Sequence, residues 1–474
     1  MQTGPRSPQS SPQPPTARSV ALSALVESVT SEEGIDVILD RRLAASPLDG
    51  RDRGLAVELT YGVLRRLGTI DWRLEPVLDK PLPRLPVIAQ MLLRLGAYQI
   101  LFLDRIPQSA AVNESVNLAR ANARMVGRDW SGFVNAVLRA LIREPLRPWP
   151  SSDTDAAQAL AIRHSVPLWL SRRWLDRLGA AAAETACEQA AGIPPVTLRV
   201  NRLKITREAY LERLRQAGLA ATATSVSPVG ITIEEGGVVT ALPGFDEGLF
   251  YVEDEAAQLI PPLLDPQPGE TVLDACAAPG GKATHLAELM QDRGVIYALD
   301  RKGARLELVR ANCARLGIRS VLPIQGDVRH RAEWSRAVGA SATTDGRPTF
   351  DRILVDAPCS GLGVLRRHPE AKWRKDSESF DRHRTLQLQI LDSVAPCLRP
   401  GGVLVYSTCS TEPEENEAVI DEFCRTHAEF RRESLSGSLP AAARDYLTGQ
   451  GDLSTMGNRY SMDGFYAARL RNVT

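Results

Sequence analysis

Thr271-Val272-Leu273-Asp274-Ala275-Cys276-Ala277-Ala278-Pro279-Gly280-Gly281-Lys282 is a short apolar run that enters a glycine-containing loop. The run predicts a buried strand, Thr271–Ala275, and the residues after the loop predict a helix, Lys282–Met290. The same alternation continues outward. Val295–Leu299, Val321–Ile324, Arg352–Val355 and Val403–Tyr406 are predicted strands, and Ala304–Leu316, Phe380–Cys397 and Glu414–His427 are predicted helices. Strands alternating with helices imply an α/β domain, a parallel sheet covered on both faces, from about Tyr251 to the C-terminus. The small, polar run Ala337–Pro348 is expected to be a surface loop insertion.

Upstream the pattern changes. Residues 1–16, rich in Pro, Ser and Gln, are expected to form a disordered tail rather than a signal peptide. Residues 17–148 read as an all-helical domain: Ile88, Met91, Leu92 and Leu95 recur at helical spacing, and Pro81, Pro83 and Pro86 punctuate the entry to that helix. Pro145, Pro148 and Pro150 mark a linker, and 149–250 is expected to hold a small α+β domain, with strands Val196–Val200 and Gly230–Ile233 around a helix at Arg207–Ala217.

A chain of 474 residues with 43% hydrophobic and 24% charged residues belongs to the soluble globular class and is long enough for two or three domains. Its formal net charge is zero, which argues neither for nor against an anionic partner. Of 57 basic residues only Lys80, Lys204, Lys282, Lys302, Lys372 and Lys375 are lysine. Arginine suits phosphate and base contacts, although a GC-rich genome explains the bias better. Seven cysteines, an odd number without a C-x-x-C pair, argue against a disulfide framework or zinc site and for a reducing cytoplasm. No stretch is long and apolar enough to span a bilayer.

Ligands of open α/β sheets bind at the carboxyl ends of the strands. Cys276, Ala277, Ala278, Pro279, Gly280, Gly281 and Lys282 form the loop that would seat a nucleotide-like cofactor, with glycines allowing close backbone approach. Cys276 stands where a P-loop has its first glycine and Ala283 where it has Ser or Thr, which disfavours ATP, and the dinucleotide fingerprint is missing too. Asp300 would bridge ribose hydroxyls and Asp327 would contact a base; either alone is better read as a helix cap or turn. At the ends of successive strands around one loop, the functional reading is the better one.

Two cysteines follow further strands: Cys359 in Asp356-Ala357-Pro358-Cys359-Ser360-Gly361 and Cys409 in Ser407-Thr408-Cys409-Ser410. A cysteine is more often a small buried hydrophobe than a nucleophile. Polar, turn-forming flanks on both weaken that reading, and the pair suggests attack through sulfur on an electron-poor ring. Asp356 then makes sense as the group that holds a ring nitrogen gaining a proton, with Lys282 supplying compensating charge.

The motifs C-A-A-P-G-G-K, D-A-P-C-S-G and S-T-C-S, with Met462-Asp463-Gly464-Phe465-Tyr466 near the end, resemble those of the S-adenosylmethionine-dependent RNA (cytosine-C5) methyltransferases. That resemblance implies a Rossmann-like class I methyltransferase domain over 251–474, S-adenosyl-L-methionine as cofactor, Cys409 as the nucleophile that adds to C6 of cytosine, and Cys359 as the thiol that assists product release. Ile106–Val116 and Phe133–Arg139 resemble a NusB-type RNA-binding domain, and Arg366-Arg367-His368-Pro369-Glu370-Ala371-Lys372-Trp373 resembles a segment of the bacterial small-subunit rRNA branch. The resemblance therefore implies 16S rRNA, not yet fully assembled, as substrate, with cytidine 967 in the standard numbering as target, and a monomeric, cytoplasmic enzyme without metal or membrane. Tyr251–Gln258, where a Gln-Asp pair is expected, and Ala283, where threonine is usual, depart from the pattern; Ala283 is expected to loosen the cofactor loop.

Arg366, Arg367, His368, Lys372 and Trp373 combine cations with an aromatic face, which suits single-stranded RNA, although nearby acids make a solvated, salt-bridged helix a real alternative. A tRNA or large-subunit rRNA substrate would keep the same chemistry. A non-catalytic ribosome assembly factor would not need the intact Asp356, Cys359 and Cys409. A small-molecule methyltransferase would not need paired thiols, and the Asn/Asp-Pro-Pro-aromatic motif of exocyclic-amine methyltransferases is absent.

Overall fold

A computed structural model of the protein describes residues 14–234, 237–338, 343–344, 347–457 and 462–474. Of the expected disordered tail, residues 1–13 lie outside the described ones; Thr16 caps the first helix, accepting from the Ser19 N–H. The chain divides into two compact units: residues up to Gly192 with Leu365–Arg374, and Ile193–Val364 with Lys375–Thr474.

The first unit is helical. Its central helix, Val87–Phe102, is apolar almost all round and buries Met91, Leu92, Leu93 and Leu95. Arg94 is buried beside them and is neutralised by a bidentate pair with Asp71, at 2.8 and 2.7 Å. Helices Ala156–His164, Leu168–Leu178 and Ala180–Ala191 belong to this unit as well. Thr69 donates to the Ile162 carbonyl and the Gly68 N–H donates to Ser165. The stretch 149–250, expected as one segment, is thus divided at Gly192: its first three helices belong to the helical unit, and its strands with helix Arg207–Gln216 to the other.

The second unit opens with a four-stranded antiparallel sheet of β1 (Val196–Val200), β2 (Ala221–Ala223), β3 (Gly230–Ile233) and β4 (Phe250–Val252), in the order β2-β3-β1-β4. Helix Arg207–Gln216 closes it, with Tyr210 and Leu214 packed among Leu198, Val200, Ile231 and Phe250.

The main sheet contains β5 (Thr271–Asp274), β6 (Val295–Asp300) and β7 (Val321–Gln325). The expected insertion Ala337–Pro348 holds a short hairpin of β8 (Thr343–Thr344) and β9 (Arg347–Pro348); residues 339–342 and 345–346 lie outside the described ones. β10 (Phe350–Asp356), β11 (Leu398–Thr408), β12 (Phe430–Glu433), β13 (Leu453–Ser454) and β14 (Tyr466–Asn472) follow. The order is β12-β14-β11-β10-β5-β6-β7, with β13 beside β14. β7, β6, β5, β10 and β11 are parallel, whereas β14 runs antiparallel to β11, an edge that the alternation pattern does not reveal. Alternate residues serve opposite layers. Val272, Ile296, Leu354 and Val405 meet helices Gly281–Leu289 and Gly303–Leu316; Leu273, Tyr297, Ile353 and Tyr406 meet Ser379–Val394 and Glu417–Thr426. β5 lies centrally, where the strand order reverses, so the loop after it opens into the crevice of a doubly wound sheet.

Candidate active site

The site lies at the carboxyl ends of β5, β6, β7, β10 and β11. A cleft of about 460 Å³ is lined by Cys276, Ala278, Asp300, Asp327, Asp356, Cys359 and Cys409, among others. A recess of about 190 Å³ shares Cys276, Ala278 and Asp356 with it and adds Ala277, Pro279, Gly281, Lys282 and Asp274.

The glycine-containing loop is held carbonyl by carbonyl. Arg305 donates to Ala278 at 2.6 Å, Asn312 to Pro279 at 3.1 Å, Thr284 to Gly280 at 2.8 Å and Arg199 to Gly281 at 2.7 Å. Ala283, the departure expected to loosen the loop, is itself fully buried. Gly280 has φ +104°, a backbone conformation side chains disfavour, and a Cβ on Gly281 would lie 2.9 Å from Glu253 Oε1.

Arg199, on β1, is fully buried and joins the small sheet to the loop. Its Nη1 also meets Glu253 Oε2 at 2.6 Å, and its Nη2 meets Glu288 Oε1 and Thr284 Oγ1, both at 2.9 Å. An arginine inside V-T-L-R-V is one polar residue in an apolar strand, and only its burial shows what it holds.

Asp274 ends β5 fully buried, and neither carboxylate oxygen reaches a hydrogen-bond partner, although the nearby Cys276 N–H favours its charge slightly. Burial, then the charge of Asp356, pushes its carboxyl up to about 7. The Cys276 thiol is pushed well up, by burial and then by Asp274. Asp300 accepts from the Lys302 N–H at 2.8 Å, as a turn residue would, and lies 3.5 Å from Arg305. Asp327 is gripped by Arg329 through Nε at 3.0 Å and Nη2 at 2.6 Å, bonds that hold its carboxyl down at about 2. It lines the cleft with both oxygens engaged.

β10 and β11 pair in a register that places Asp356 opposite Ser407. Ser407 Oγ donates to Asp356 Oδ1 at 2.8 Å, and Lys282 Nζ donates to Oδ2 at 2.6 Å. Burial works against the Lys282 charge, yet Asp356 outweighs it and leaves the ammonium more firmly protonated than usual. Just beyond, Cys359 and Cys409 meet with their sulfurs 3.3 Å apart. The bond to Cys409, then burial, drives the Cys359 thiol well above its ordinary value. Residues fifty apart in sequence are brought together because both follow neighbouring parallel strands.

Arg366–Trp373, expected on an RNA-facing surface beside the reactive loop, lies in the helical unit. Lys372 is fully buried and donates to the Arg65 carbonyl at 3.2 Å; Trp373 Nε1 donates to Leu64 O at 3.4 Å; Glu370 accepts from the Ile35 N–H at 3.1 Å. Arg366 is buried as well, while Arg367 and His368 are half-buried. An aliphatic stem and an indole bury as readily as they bind a nucleotide.

A doubly wound sheet with a glycine loop after its first strand and paired thiols after its fourth and fifth parallel strands defines a methyltransferase of the Rossmann-like class. The chain belongs to the 16S rRNA methyltransferase RsmB/F family, whose profile matches residues 261–471, preceded by matches to the NusB family at 15–143 and to the RsmF/B-like ferredoxin-like domain at 166–240. It is 37% identical to the probable ribosomal RNA small subunit methyltransferase B of Synechocystis, over 97% of this chain and all of that one. It is 38% identical to the ribosomal RNA small subunit methyltransferase B of Pseudomonas syringae pv. tomato, over 96% of this chain and 97% of that one. The crystal structure of PH0851 superposes with a TM-score of 0.80 at 26% identity, covering 95% of this chain and 98% of that one. A methyltransferase homologue from Pyrococcus horikoshii gives 0.56 at 31%, covering 67% and 99%.

Proposed function

We propose that the protein methylates C5 of a cytidine in 16S rRNA, cytidine 967 by family resemblance, with S-adenosyl-L-methionine as methyl donor and not yet fully assembled small-subunit rRNA as substrate. The observation that carries the chemistry is the 3.3 Å approach of Cys359 and Cys409 beside the Lys282–Asp356 pair. The residues fit the cofactor: Asp274 offers a buried carboxylate without a partner in the recess, and the Gly280–Gly281 cradle would be filled by a Cβ. Asp300 and the loop Cys276–Lys282 would hold it, and when bound it supplies an electrophilic methyl group.

The base must leave its stack, because C6 is covered inside a helix. Cys409 is the nucleophile: as its sulfur bonds to C6 its thiol proton passes to water, and the ring electrons move towards N3, which takes a proton from water and is held by Asp356. C5 thereby becomes nucleophilic and takes the methyl group. Water takes the C5 proton, the N3 proton returns to solvent, and cleavage of the C6–S bond restores the aromatic ring and frees Cys409 as its thiolate. Cys359, held protonated beside it, assists this elimination.

Methyl transfer from tritiated cofactor to unmodified small-subunit rRNA, read together with denaturant-resistant protein–RNA adducts, tests the assignment. Cys409→Ala should lose both signals and Cys359→Ala should accumulate the adduct. Exchanged phenotypes would refute the cysteine roles, and activity confined to tRNA would refute the substrate.

A further inference from the structure

Beneath the two thiols lies a carboxylate that the mechanism above does not use. Glu415 is fully buried, in the turn Pro413–Glu415 that follows β11. Its Oε1 accepts from the Ser360 N–H at 2.6 Å, and its Oε2 accepts from both the Ser360 and Ser410 hydroxyls. Ser360 directly follows Cys359 and Ser410 directly follows Cys409. The two hydroxyls are also 3.2 Å from each other. One carboxylate therefore clasps both reactive loops at the residue after each sulfur. Its own backbone is fixed in turn, since the Tyr406 hydroxyl donates to the Glu415 carbonyl at 2.6 Å. The neighbouring Asn416 accepts from Thr408 and donates to the Ser410 carbonyl, at 2.6 and 3.0 Å. A buried charge with this many donors is costly unless all of them are held in place.

We propose that Glu415 is a positioning residue for methyl transfer: through Ser360 and Ser410 it fixes the separation of Cys359 and Cys409. Cys359 is held protonated by its bond to Cys409, then by burial, with the Glu415 carboxylate adding to both. The two sulfurs lie 3.3 Å apart, so any change in the separation that the clasp sets is felt by both. His383 lies with Nδ1 3.4 Å from Glu415 Oε1, and burial favours its neutral form.

The proposal rests on the reaction assigned above, and its test separates the two. Full-length wild type and Glu415→Gln are alkylated with iodoacetamide at neutral pH, and the Cys409:Cys359 labelling ratio is read by peptide mass spectrometry, without RNA or cofactor. Freeing the two loops from their common tie should shift that ratio about threefold or more, because the exposure of each sulfur changes with its loop. Turnover on rRNA should fall about 10- to 100-fold with KM for RNA within about twofold, the mark of groups misplaced only for the chemical step. An unchanged labelling ratio, or a turnover within about twofold of wild type, overturns the proposal. If wild type transfers no methyl group to any RNA, the reaction assignment fails and the labelling ratio alone decides. Should Glu415→Gln not fold, Ser410→Ala, which removes one tie, must lower turnover; full turnover in that variant refutes the clasp.

Discussion

Replacing Arg199 with methionine removes the cation paired with both Glu253 and Glu288 inside the second unit. The side chain is wholly buried, and four hydrogen bonds leave its two terminal nitrogens, to Glu253, Gly281, Thr284 and Glu288, at 2.6 to 2.9 Å. Those bonds cannot simply be added, because desolvating three charges opposes them. The relevant quantity is the cost of leaving carboxylates buried without their partner, about 3–5 kcal/mol. Glu288 already needs Arg199 to offset a burial that raises its carboxyl, so in Arg199→Met it should take up a proton. The loss should therefore be largest at neutral to alkaline pH and shrink in acid. Because Arg199 also holds the Gly281 carbonyl, affinity for S-adenosylhomocysteine should drop with stability. Urea unfolding followed at several pH values, with calorimetric titration of that ligand, measures both. The triple variant Arg199→Met/Glu253→Gln/Glu288→Gln should recover most of the stability, since it removes the buried charges together. A loss below about 1 kcal/mol in the single variant, or no recovery in the triple, would refute the assignment of a charge-compensating tie.

Two further outcomes concern buried groups whose protonation is displaced by folding. Asp274, raised to about 7 from 3.8, binds a proton in the folded state that the unfolded chain has released, so it costs stability as pH rises from about 4 to 7 and fully above that. Asp274→Asn should thus stabilise the second unit by up to about 4 kcal/mol at pH 8 and scarcely at pH 4, while weakening binding of the cofactor's cationic groups; thermal scans across that range check the sign. Lys372, lowered by burial to about 7 from 10.5, works in the opposite sense: the unfolded chain holds the extra proton, so its penalty is full below pH 7 and fades towards pH 10.5. Lys372→Met should raise the stability of the helical unit by a few kcal/mol at pH 7 and leave little difference near pH 10, which the same thermal scans would read.

The α/β layer was legible because periodicity reports burial. Val272/Leu273 and Ile353/Leu354 are apolar on both sides of the strand, the mark of a sheet covered twice, and the five parallel strands lie where that pattern puts them. β14 was not, because Tyr466–Asn472 carries Arg469 and Arg471 at alternate positions and reads as a polar edge; both arginines are paired with Glu433 on β12. The division at Gly192 was equally hidden, since nothing in 149–250 says which neighbour its helices will join. Asp274 stood in the quoted loop but drew no role, because an aspartate at a strand end looks like a cap until its oxygens are found without partners. Glu415, one acid in Glu412-Pro413-Glu414-Glu415-Asn416-Glu417, looks like part of the solvated acidic start of the predicted helix Glu414–His427. Only the fold turns that side chain inward.

The same ambiguity separates the basic segment from the cysteines. A lysine or tryptophan gains from any apolar or anionic surface, so Lys372 and Trp373 carry no address for RNA over the interior of a helical domain. Thiols after two neighbouring parallel strands are different: the register that pairs Asp356 with Ser407 places the residues beyond both strands on one side of the sheet, whatever else the chain does. Proximity of Cys359 and Cys409 is thus a consequence of topology, which sequence periodicity can reach. Which sulfur acts as nucleophile does not follow from that register, because the side chains around the pair, Glu415 in the turn after β11 and Lys282 in the cofactor loop, come from elsewhere in the chain. A strand pattern can therefore predict that two sulfurs meet, while the assignment of nucleophile and proton carrier needs the side chains around them.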